Sequence, residues 1–342
     1  MSATPMNVTS MNHSSMQGAV FHGNDRITIE EVPAPQPATG EVLVKVLRTA
    51  LCGSDFKLWH NGAEFTAGHE IFGRVEQPGH AFDGKRCAVY IPLHCGHCAT
   101  CRAGDTQMCL EISSLIGWNR GGGYCEYVAV PENCLLPVPD DIEDDLAPLL
   151  LDTIGTSAHA VREAGRLVPA DKNPPVLVTG AGPVGLGVIL ALKSLGYRDI
   201  HVSDPNGERL AIAESFGARA HPVGAKDTRF AMIVECSGAH PARNLAIELV
   251  LPKGVIVLVG ENATPWTITE DKIFRRKDFM MLRTFYFPKG DFEANVELLR
   301  ANRDDYARLV DDSFPLDSLP ERFARFAEGR LIKPVLAFEE KR

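Results

Sequence analysis

The chain has 342 residues, which is too long for one compact core, so we expect two domains. Its formal net charge of −9 argues against a nucleic-acid partner, because contact with a phosphate backbone usually needs a basic patch. No apolar run is long enough to span a bilayer, which argues against a membrane partner. Residues 1–15 lack the basic and apolar regions of a secretion signal, and we interpret them as a polar N-terminal extension.

The region 16–150 carries the signals of β-structure. Alternating valines in EVLVKVLRTAL (41–51) and the short apolar run YCEYVAV (124–130) predict strands. Segments rich in glycine and proline separate these runs and predict turns. Together they predict an irregular all-β domain.

Beyond about residue 155, strands alternate with helices. The apolar runs PVLVTGAG, IHVSD, FAMIVECSG, GVIVLVG and FMMLRTFYF are separated by segments of roughly helical length. This alternation predicts an α/β domain with a doubly wound parallel sheet. After residue 289 come two more helical segments and a final strand, PVLAF, which have no place in a six-stranded nucleotide domain. We therefore expect the tail to return to the first domain.

The segment GAGPVG (180–185) fits the pattern G-x-G-x-x-G and lies between a predicted strand and a predicted helix. Gly180 permits a tight turn, Gly182 lets a pyrophosphate approach the backbone, and Gly185 lets the helix pack on the strand. Pro183 and Val184 open the helix, at the end that favours phosphate binding. The pattern predicts a dinucleotide-binding loop.

Asp204 ends the next predicted strand. A carboxylate there accepts hydrogen bonds from both ribose hydroxyls and repels the extra phosphate of NADP, which favours NAD. Arg209 lies nearby and leaves NADP open. The alternative is a plain strand-to-helix turn in which Asp204 caps the helix.

Four of the nine cysteines lie close together as C-x2-C-x2-C-x7-C, at Cys95, Cys98, Cys101 and Cys109. This spacing lets four thiolates surround one Zn²⁺ with no open position, as in a structural zinc site. An iron–sulfur cluster is the alternative. An odd, clustered set of cysteines without a secretion signal favours thiolates and metal over disulfides and predicts a cytoplasmic location.

Upstream, LCGSD (51–55) and AGHEIFG (67–73) carry Cys52 and His69, two residue types that bind zinc. The motifs LCGSD, GHE, the four-cysteine lobe, GGYCEYV, GAGPVG and ECSG follow one another in this order. The chain thereby resembles the zinc-dependent medium-chain alcohol and polyol dehydrogenases from Met16 onward.

The resemblance implies an α/β fold in which a GroES-like β-rich catalytic domain is interrupted by a Rossmann domain. On this basis we expect the catalytic domain at 16–155 and 290–342, with the structural zinc lobe at about 94–110. We expect the NAD-binding domain at 156–289.

The resemblance also implies a catalytic zinc. Cys52 and His69 would be ligands, Glu70 would lie against the metal, and Asp55 would orient His69. In the family the third ligand lies just before the helix that links the domains, where this chain has Asp152. Asp152 follows three leucines, where burial of a carboxylate is costly unless a metal or another partner compensates it.

By the same resemblance, zinc acts as a Lewis acid on a substrate hydroxyl and hydride passes to the nicotinamide. Ser54 would begin the proton relay. Many relatives have a histidine two residues after the aspartate of LCGSD, where this chain has Lys57, so Lys57 or His60 would continue it. Trp59, Trp118 and the aromatic run 285–287 are candidate pocket residues, although large apolar residues more often form the core.

The sequence therefore predicts a zinc- and NAD-dependent oxidoreductase that converts a polyol, sugar or other secondary alcohol to the ketone. A simple secondary alcohol dehydrogenase using NAD or NADP is the alternative. A zinc-containing binding or regulatory protein that has lost catalysis is a third hypothesis. The resemblance further implies a homo-oligomer, a dimer or tetramer.

Overall fold

The computed structural model describes residues 14–268 and 272–339. Most of the predicted N-terminal extension, 1–15, therefore lies outside the described residues. No helix in the described part of the chain is long and apolar enough to cross a membrane.

Strands in the described residues are β1 (Ser15–Gly23), β2 (Arg26–Pro33), β3 (Glu41–Ala50), β4 (Glu70–Val75), β5 (Arg86–Val89), β6 (Tyr127–Pro131), β7 (Leu135–Pro137), β8 (Val176–Thr179), β9 (Ile200–Ser203), β10 (Arg219–Ala220), β11 (Phe230–Glu235), β12 (Val250–Leu258), β13 (Met280–Arg283) and β14 (Val335–Ala337). Helices in the same residues are α1 (Phe56–Asn61), α2 (Ala99–Ala103), α3 (Ser157–Gly165), α4 (Pro183–Ser194), α5 (Gly207–Ser215), α6 (His240–Leu249), α7 (Lys272–Arg275), α8 (Phe292–Ala301), α9 (Arg303–Ala307) and α10 (Leu319–Ala327).

The chain divides into two compact units. Unit 1 comprises the described parts of Met1–Leu93, Ile112–Pro148 and Asp311–Arg342, and unit 2 comprises His94–Glu111 and the described parts of Leu149–Val310.

These bounds differ from the predicted domains, because residues 94–111, 149–155 and 290–310 belong to unit 2. Hydrogen bonds within unit 2 explain the difference. Arg162 on α3 donates to Asp291 just before α8 at 2.9 Å. The backbone N–H of Lys289 donates to the hydroxyl of Thr106 in the cysteine lobe at 3.0 Å.

Unit 1 contains an antiparallel sheet in the order β14-β3-β4-β5-β7, with β6 also paired to β3, and a separate hairpin of β1 and β2. The alternating residues Val42, Val44 and Val46 of β3 are at most 1% exposed, as their period-two spacing predicts. β14 pairs with β3 through Val335 and Ala50. The C-terminal strand β14 therefore belongs to the antiparallel sheet of unit 1.

Unit 2 contains a six-stranded parallel sheet in the order β10-β9-β8-β11-β12-β13. The chain order reverses between the neighbours β8 and β11, and ligands of such sheets bind at the carboxyl ends of the strands at this point. The predicted doubly wound parallel sheet is confirmed.

Two details of the sheet in unit 2 differ from the prediction. In the run FMMLRTFYF, only Met280–Arg283 forms a strand. The chain leaves the sheet at Thr284–Phe287, where Tyr286 adopts a positive φ of 50°, a conformation incompatible with a strand. β10 was not predicted, because it is two exposed residues long and carries no apolar pattern.

Candidate functional site

Within unit 1, Cys52, His69 and Glu70 form a cluster of metal-binding side chains, with one ligand atom from each lying within 4.8 Å of the others. Cys52 follows β3, and Glu70 begins β4. Because Ala50 pairs with Glu70 across these antiparallel strands, the sheet register brings the three residues to one end. His69 is 1% exposed and Glu70 is fully buried, which is a costly place for a carboxylate without a cation.

Asp55 supports this cluster from a turn of 3₁₀-helix that begins after Cys52. Its Oδ2 accepts hydrogen bonds from the Tyr124 hydroxyl at 2.6 Å and from the Cys52 backbone N–H at 3.3 Å. Its Oδ1 lies 3.0 Å from Nδ1 of His69 and has no hydrogen-bond partner among the described residues. Burial, together with the Asp55 carboxylate, raises the pKa of Tyr124 well above its ordinary value. The hydroxyl therefore stays protonated and donates a hydrogen bond to Asp55.

The glycine-rich loop 117–123 packs directly on the backbone beside His69. A Cβ at Gly117 or Gly122 would lie 2.3 or 2.1 Å from the carbonyl oxygen of Gly68, so both positions require glycine. This close approach brings the indole Nε1 of Trp118 to 3.0 Å from Nδ1 of His69. Trp118 is thus a neighbour of a candidate metal ligand.

Lys333 is a candidate site residue that the sequence analysis missed. It is 1% exposed and forms a buried ion pair with Glu70. Its Nζ also donates to the carbonyl of Leu51, next to Cys52, at 3.1 Å. The carboxylate of Asp311 fixes the Lys333 backbone by accepting the N–H groups of Ile332 and Lys333, each at 2.8 Å. The signal that could have found Lys333 is a lysine within the apolar run LIKPVLAF.

The predicted relay residues lie in and after LCGSD. The Ser54 hydroxyl donates to Sγ of Cys52 at 3.2 Å. Lys57 is exposed on α1. His60 is exposed at the end of α1 and pairs with Asp25 on the β1–β2 hairpin.

Two of the predicted pocket residues pack against apolar cores. Trp59 is half-buried and packs on Phe323 with ring centroids 5.5 Å apart, against the apolar core of unit 1. Phe287 is fully buried in unit 2, and a Cβ at Gly155 would lie 2.3 Å from its ring.

Asp152 opens a short π-helical turn, Asp152–Thr156, that leads into α3. The preceding residues Leu149–Leu151 are fully buried, whereas Asp152 is half-buried. Its Oδ1 accepts a hydrogen bond from the Thr156 hydroxyl at 3.2 Å. Turns of this wide type are frequent at functional sites.

Four cysteine sulfurs of unit 2 converge in the lobe 94–111: those of Cys95, Cys98, Cys101 and Cys109 lie within 4.8 Å of one another. The separations Cys95–Cys101 and Cys98–Cys109 are 4.0 and 3.9 Å. Four sulfurs around one zinc lie about 3.8 Å apart if each Zn–S bond is about 2.3 Å. Backbone N–H groups also point at the sulfurs, as from Cys98 to Cys95 at 3.2 Å, and such donors stabilise thiolates. The lobe fits one tetrahedral ion.

The glycine loop of unit 2 joins β8 to α4. Gly180 has a φ of +87°, and a Cβ at Gly185 would lie 1.8 Å from the carbonyl oxygen of Gly180, so the turn depends on both glycines. Gly182 caps α4, and Pro183 and Val184 begin it. A Cβ at Gly182 would meet nothing within 4 Å, which leaves open space beside the helix N-terminus.

The Asp204 carboxylate holds this loop in place. It accepts hydrogen bonds from the backbone N–H groups of Ala181 at 2.6 Å and of Asn206 at 2.8 Å. The N-cap of α5 is Asn206, so Asp204 is not the helix cap of the alternative interpretation. Arg209 lies half-buried in the first turn of α5.

Two family models match the chain. Residues 38–140 match the alcohol dehydrogenase GroES-like domain, and residues 183–301 match the zinc-binding dehydrogenase model. The two matches correspond to the β-rich and the parallel-sheet parts of the sequence.

Individual proteins resemble the chain over nearly its full length. An L-threonine 3-dehydrogenase of Mesorhizobium japonicum is 34% identical over 91% of this chain and 95% of that protein. An alcohol dehydrogenase from Thermus sp. ATN1 superimposes with a TM-score of 0.86 and 26% identity over 95% of this chain and all of that one. A short chain alcohol dehydrogenase of Escherichia coli CFT073, solved in complex with the cofactor NADH, gives a TM-score of 0.84 and 25% identity over the same shares.

Proposed function

This chain belongs to the zinc-dependent medium-chain dehydrogenase family, and we propose that it oxidises a polyol, sugar or other secondary alcohol to the ketone with NAD as the hydride acceptor. It is an α/β enzyme of the alcohol and polyol dehydrogenase type, with a GroES-like part and a Rossmann part. The observation that carries the proposal is the convergence of Cys52, His69 and Glu70 at one end of the sheet in unit 1.

The side chains of the cysteine lobe and those of the Cys52 and His69 cluster are both of types that bind zinc. The lobe offers four thiolates at tetrahedral spacing for a closed structural site. For the catalytic ion we propose Cys52, His69 and Asp152 as ligands, because a thiolate, an imidazole and a carboxylate leave one position open for substrate. Zinc bound there would supply a Lewis acid for deprotonation of the substrate hydroxyl, and NAD would supply the hydride acceptor.

The tautomer of His69 follows from its neighbours. Nδ1 cannot serve both Asp55 and Trp118, because it donates to the first only when protonated and accepts from the second only when not. A proton on Nδ1 satisfies the buried Oδ1 of Asp55 and leaves Nε2 able to bind a metal. The half-exposed Trp118 can donate to water instead. Asp55 therefore orients His69 as a ligand.

Other residues hold charges and protons in place. Lys333 compensates the buried charge of Glu70, which we propose lies against the metal as an adjacent carboxylate. The Ser54 hydroxyl, already a donor to Cys52, is the proposed first step for the proton that leaves the substrate. Lys57 is the proposed continuation, since His60 is engaged with Asp25 at the surface.

The glycine loop is the proposed cofactor site. Gly180, Gly182 and Gly185 shape the turn, Pro183 and Val184 begin the helix that faces the pyrophosphate, and Asp204 favours NAD over NADP. Arg209, in the first turn of α5, is the residue that would bind the 2′-phosphate if the cofactor is NADP.

A Gly182→Ala substitution tests this site. We expect a folded protein whose Kd for NADH rises at least about tenfold, because the added Cβ occupies the space that the pyrophosphate needs. Gly290→Ala is the matched control: it also adds a Cβ in open space in unit 2, in a turn outside the proposed cofactor site, and should leave the Kd unchanged. Fluorescence titration with NADH measures both. Equal affinity in the Gly182 variant and wild type would place the cofactor elsewhere.

L-threonine is the second candidate substrate, because the Mesorhizobium relative is an L-threonine 3-dehydrogenase at 34% identity over 95% of its length. Its 3-hydroxyl is itself a secondary alcohol. The test is a panel of C4–C6 polyols, short secondary alcohols and L-threonine, each with NAD and with NADP. Faster turnover of polyols with NAD supports the first proposal, whereas selective oxidation of L-threonine replaces it by the second.

We propose a cytoplasmic location and a homo-oligomer, a dimer or tetramer, as the family resemblance implies. None of the nine cysteines, all of which lie in the described residues, forms a disulfide, and thiolates that bind zinc persist in a reducing compartment. Sedimentation of the purified protein measures the oligomeric state.

A further inference from the structure

Glu235 is a fully buried carboxylate at the end of β11 that the proposed chemistry does not use. Its Oε1 accepts hydrogen bonds from the backbone N–H groups of Ser237 at 2.7 Å and Gly238 at 2.9 Å, and from the Ser237 hydroxyl. One carboxylate oxygen therefore fixes the whole turn that follows the strand.

Arg243 on α6 pairs with the other oxygen of this carboxylate. Its Nε lies 3.3 Å from Oε2 of Glu235, and its terminal nitrogen donates to the carbonyl of Gly260, after β12, at 2.8 Å. Asn262 returns a hydrogen bond from its side-chain amide to the carbonyl of Gly238 at 2.9 Å. The pair thus joins the turn after β11 to the turn after β12.

These two turns touch through glycine. A Cβ at Gly238 would lie 2.0 Å from the carbonyl oxygen of Glu261, and a Cβ at Gly260 would lie 2.2 Å from the Gly238 nitrogen. Backbone contact this close fixes the position of one turn relative to the other. We call this arrangement, formed by Glu235, Arg243 and the turns 236–238 and 260–262, the polar clasp.

The polar clasp lies at the edge of the sheet where β8 and β11 are neighbours and the strand order reverses. It also adjoins the glycine loop, since a Cβ at Gly180 would lie 2.9 Å from the backbone nitrogen of Ser237. The Thr179 hydroxyl, at the end of β8, lies 3.5 Å from Oε1 of Glu235. Ligands of parallel sheets bind at this edge, so the clasp forms one wall of the proposed cofactor site.

Stability alone gives no reason for an ion pair here. Burying both charges costs solvation, and an apolar replacement of similar volume is often as stable. A buried carboxylate with five donors does fix the position of the backbone groups among them, and fixed groups lower the entropic cost of binding a dinucleotide.

We propose that Glu235 and Arg243 are positioning residues for the dinucleotide, which set the turns 236–238 and 260–262 against the cofactor beyond the glycine loop. The proposal rests on the proposed function, since it takes the cofactor site at this edge as given. We do not expect either side chain to contact the cofactor; both act through the two turns.

Glu235→Gln is the direct test, because it keeps the side-chain shape and removes the charge that holds Arg243. We expect the Kd for NADH and the KM for NAD to rise at least about tenfold, with kcat at saturating NAD within about threefold of wild type. Zinc content should not change. Asp291→Asn is the control, since it also neutralises the carboxylate partner of an arginine in unit 2, Arg162, and should leave NADH affinity unchanged.

If the Glu235 variant does not fold, Arg243→Lys provides the same test. Lysine keeps the positive charge but lacks the forked donors that reach both Glu235 and Gly260. NADH binding equal to wild type in a folded variant would overturn the proposal, as would an equal loss of affinity in Asp291→Asn. A wild-type chain that does not bind NADH would overturn the proposed function as well, which separates the two failures.

Discussion

In a chain carrying Asp152→Asn, we expect alcohol oxidation to fall at least about 100-fold while the protein stays folded. Removing a group that only orients a metal ligand already costs about 10- to 100-fold, so loss of a ligand should cost more. Asparagine has the same shape and keeps an acceptor for the Thr156 hydroxyl, but it lacks the anionic carboxylate that binds zinc. Steady-state kinetics and zinc analysis of the same sample measure the effect.

Thr156→Val is the matched control for this substitution. It removes the hydrogen bond to Asp152 but keeps the carboxylate, so we expect zinc content near that of wild type and a much smaller loss of activity. Full activity and full zinc content in Asp152→Asn would show that Asp152 is not a ligand.

Lys333→Met should have the largest effect on stability in unit 1. The substitution leaves the fully buried carboxylate of Glu70 without its cation, and breaking a buried pair in this way costs about 3–5 kcal/mol. The Leu51 carbonyl also loses its donor. Urea unfolding, with zinc content measured on the same samples, gives the free energy of unfolding.

Two further variants separate charge from packing. Lys333→Arg keeps a cation and should recover part of the loss, and adding Glu70→Gln to Lys333→Met removes the uncompensated charge and should do the same. An unfolding midpoint of Lys333→Met equal to that of wild type would contradict the role of the ion pair.

Most of the fold could be predicted from local patterns. Alternating valines in β3 and continuous apolar runs such as β8 report burial on one or both faces of a sheet, and burial is what forms these strands. β10 could not be predicted, because it is two exposed residues long and carries no apolar signal, although it pairs with β9. The end of β13 could not be predicted, because a tyrosine in an apolar run gives no sign of the positive φ that Tyr286 adopts.

The candidate site could be predicted only where its residues lie close together in the sequence and form a local motif. The four cysteines and the glycine loop are local motifs, so their convergence follows from a few residues of chain. Lys333 lies far from Glu70 in sequence, and only the pairing of β14 with β3 brings its segment to Leu51. A charged residue inside an apolar run is the signal that these positions share. It indicated Asp152 as a candidate ligand, and it also marks Lys333 and Glu235, which were not predicted.

The most direct test of the central claim is the zinc content of the purified protein. We expect about two zinc ions per chain in wild type, and about one in Cys52→Ser, which keeps the cysteine lobe intact. One zinc per chain in wild type, unchanged in Cys52→Ser, would confine the metal to the lobe and contradict a catalytic zinc.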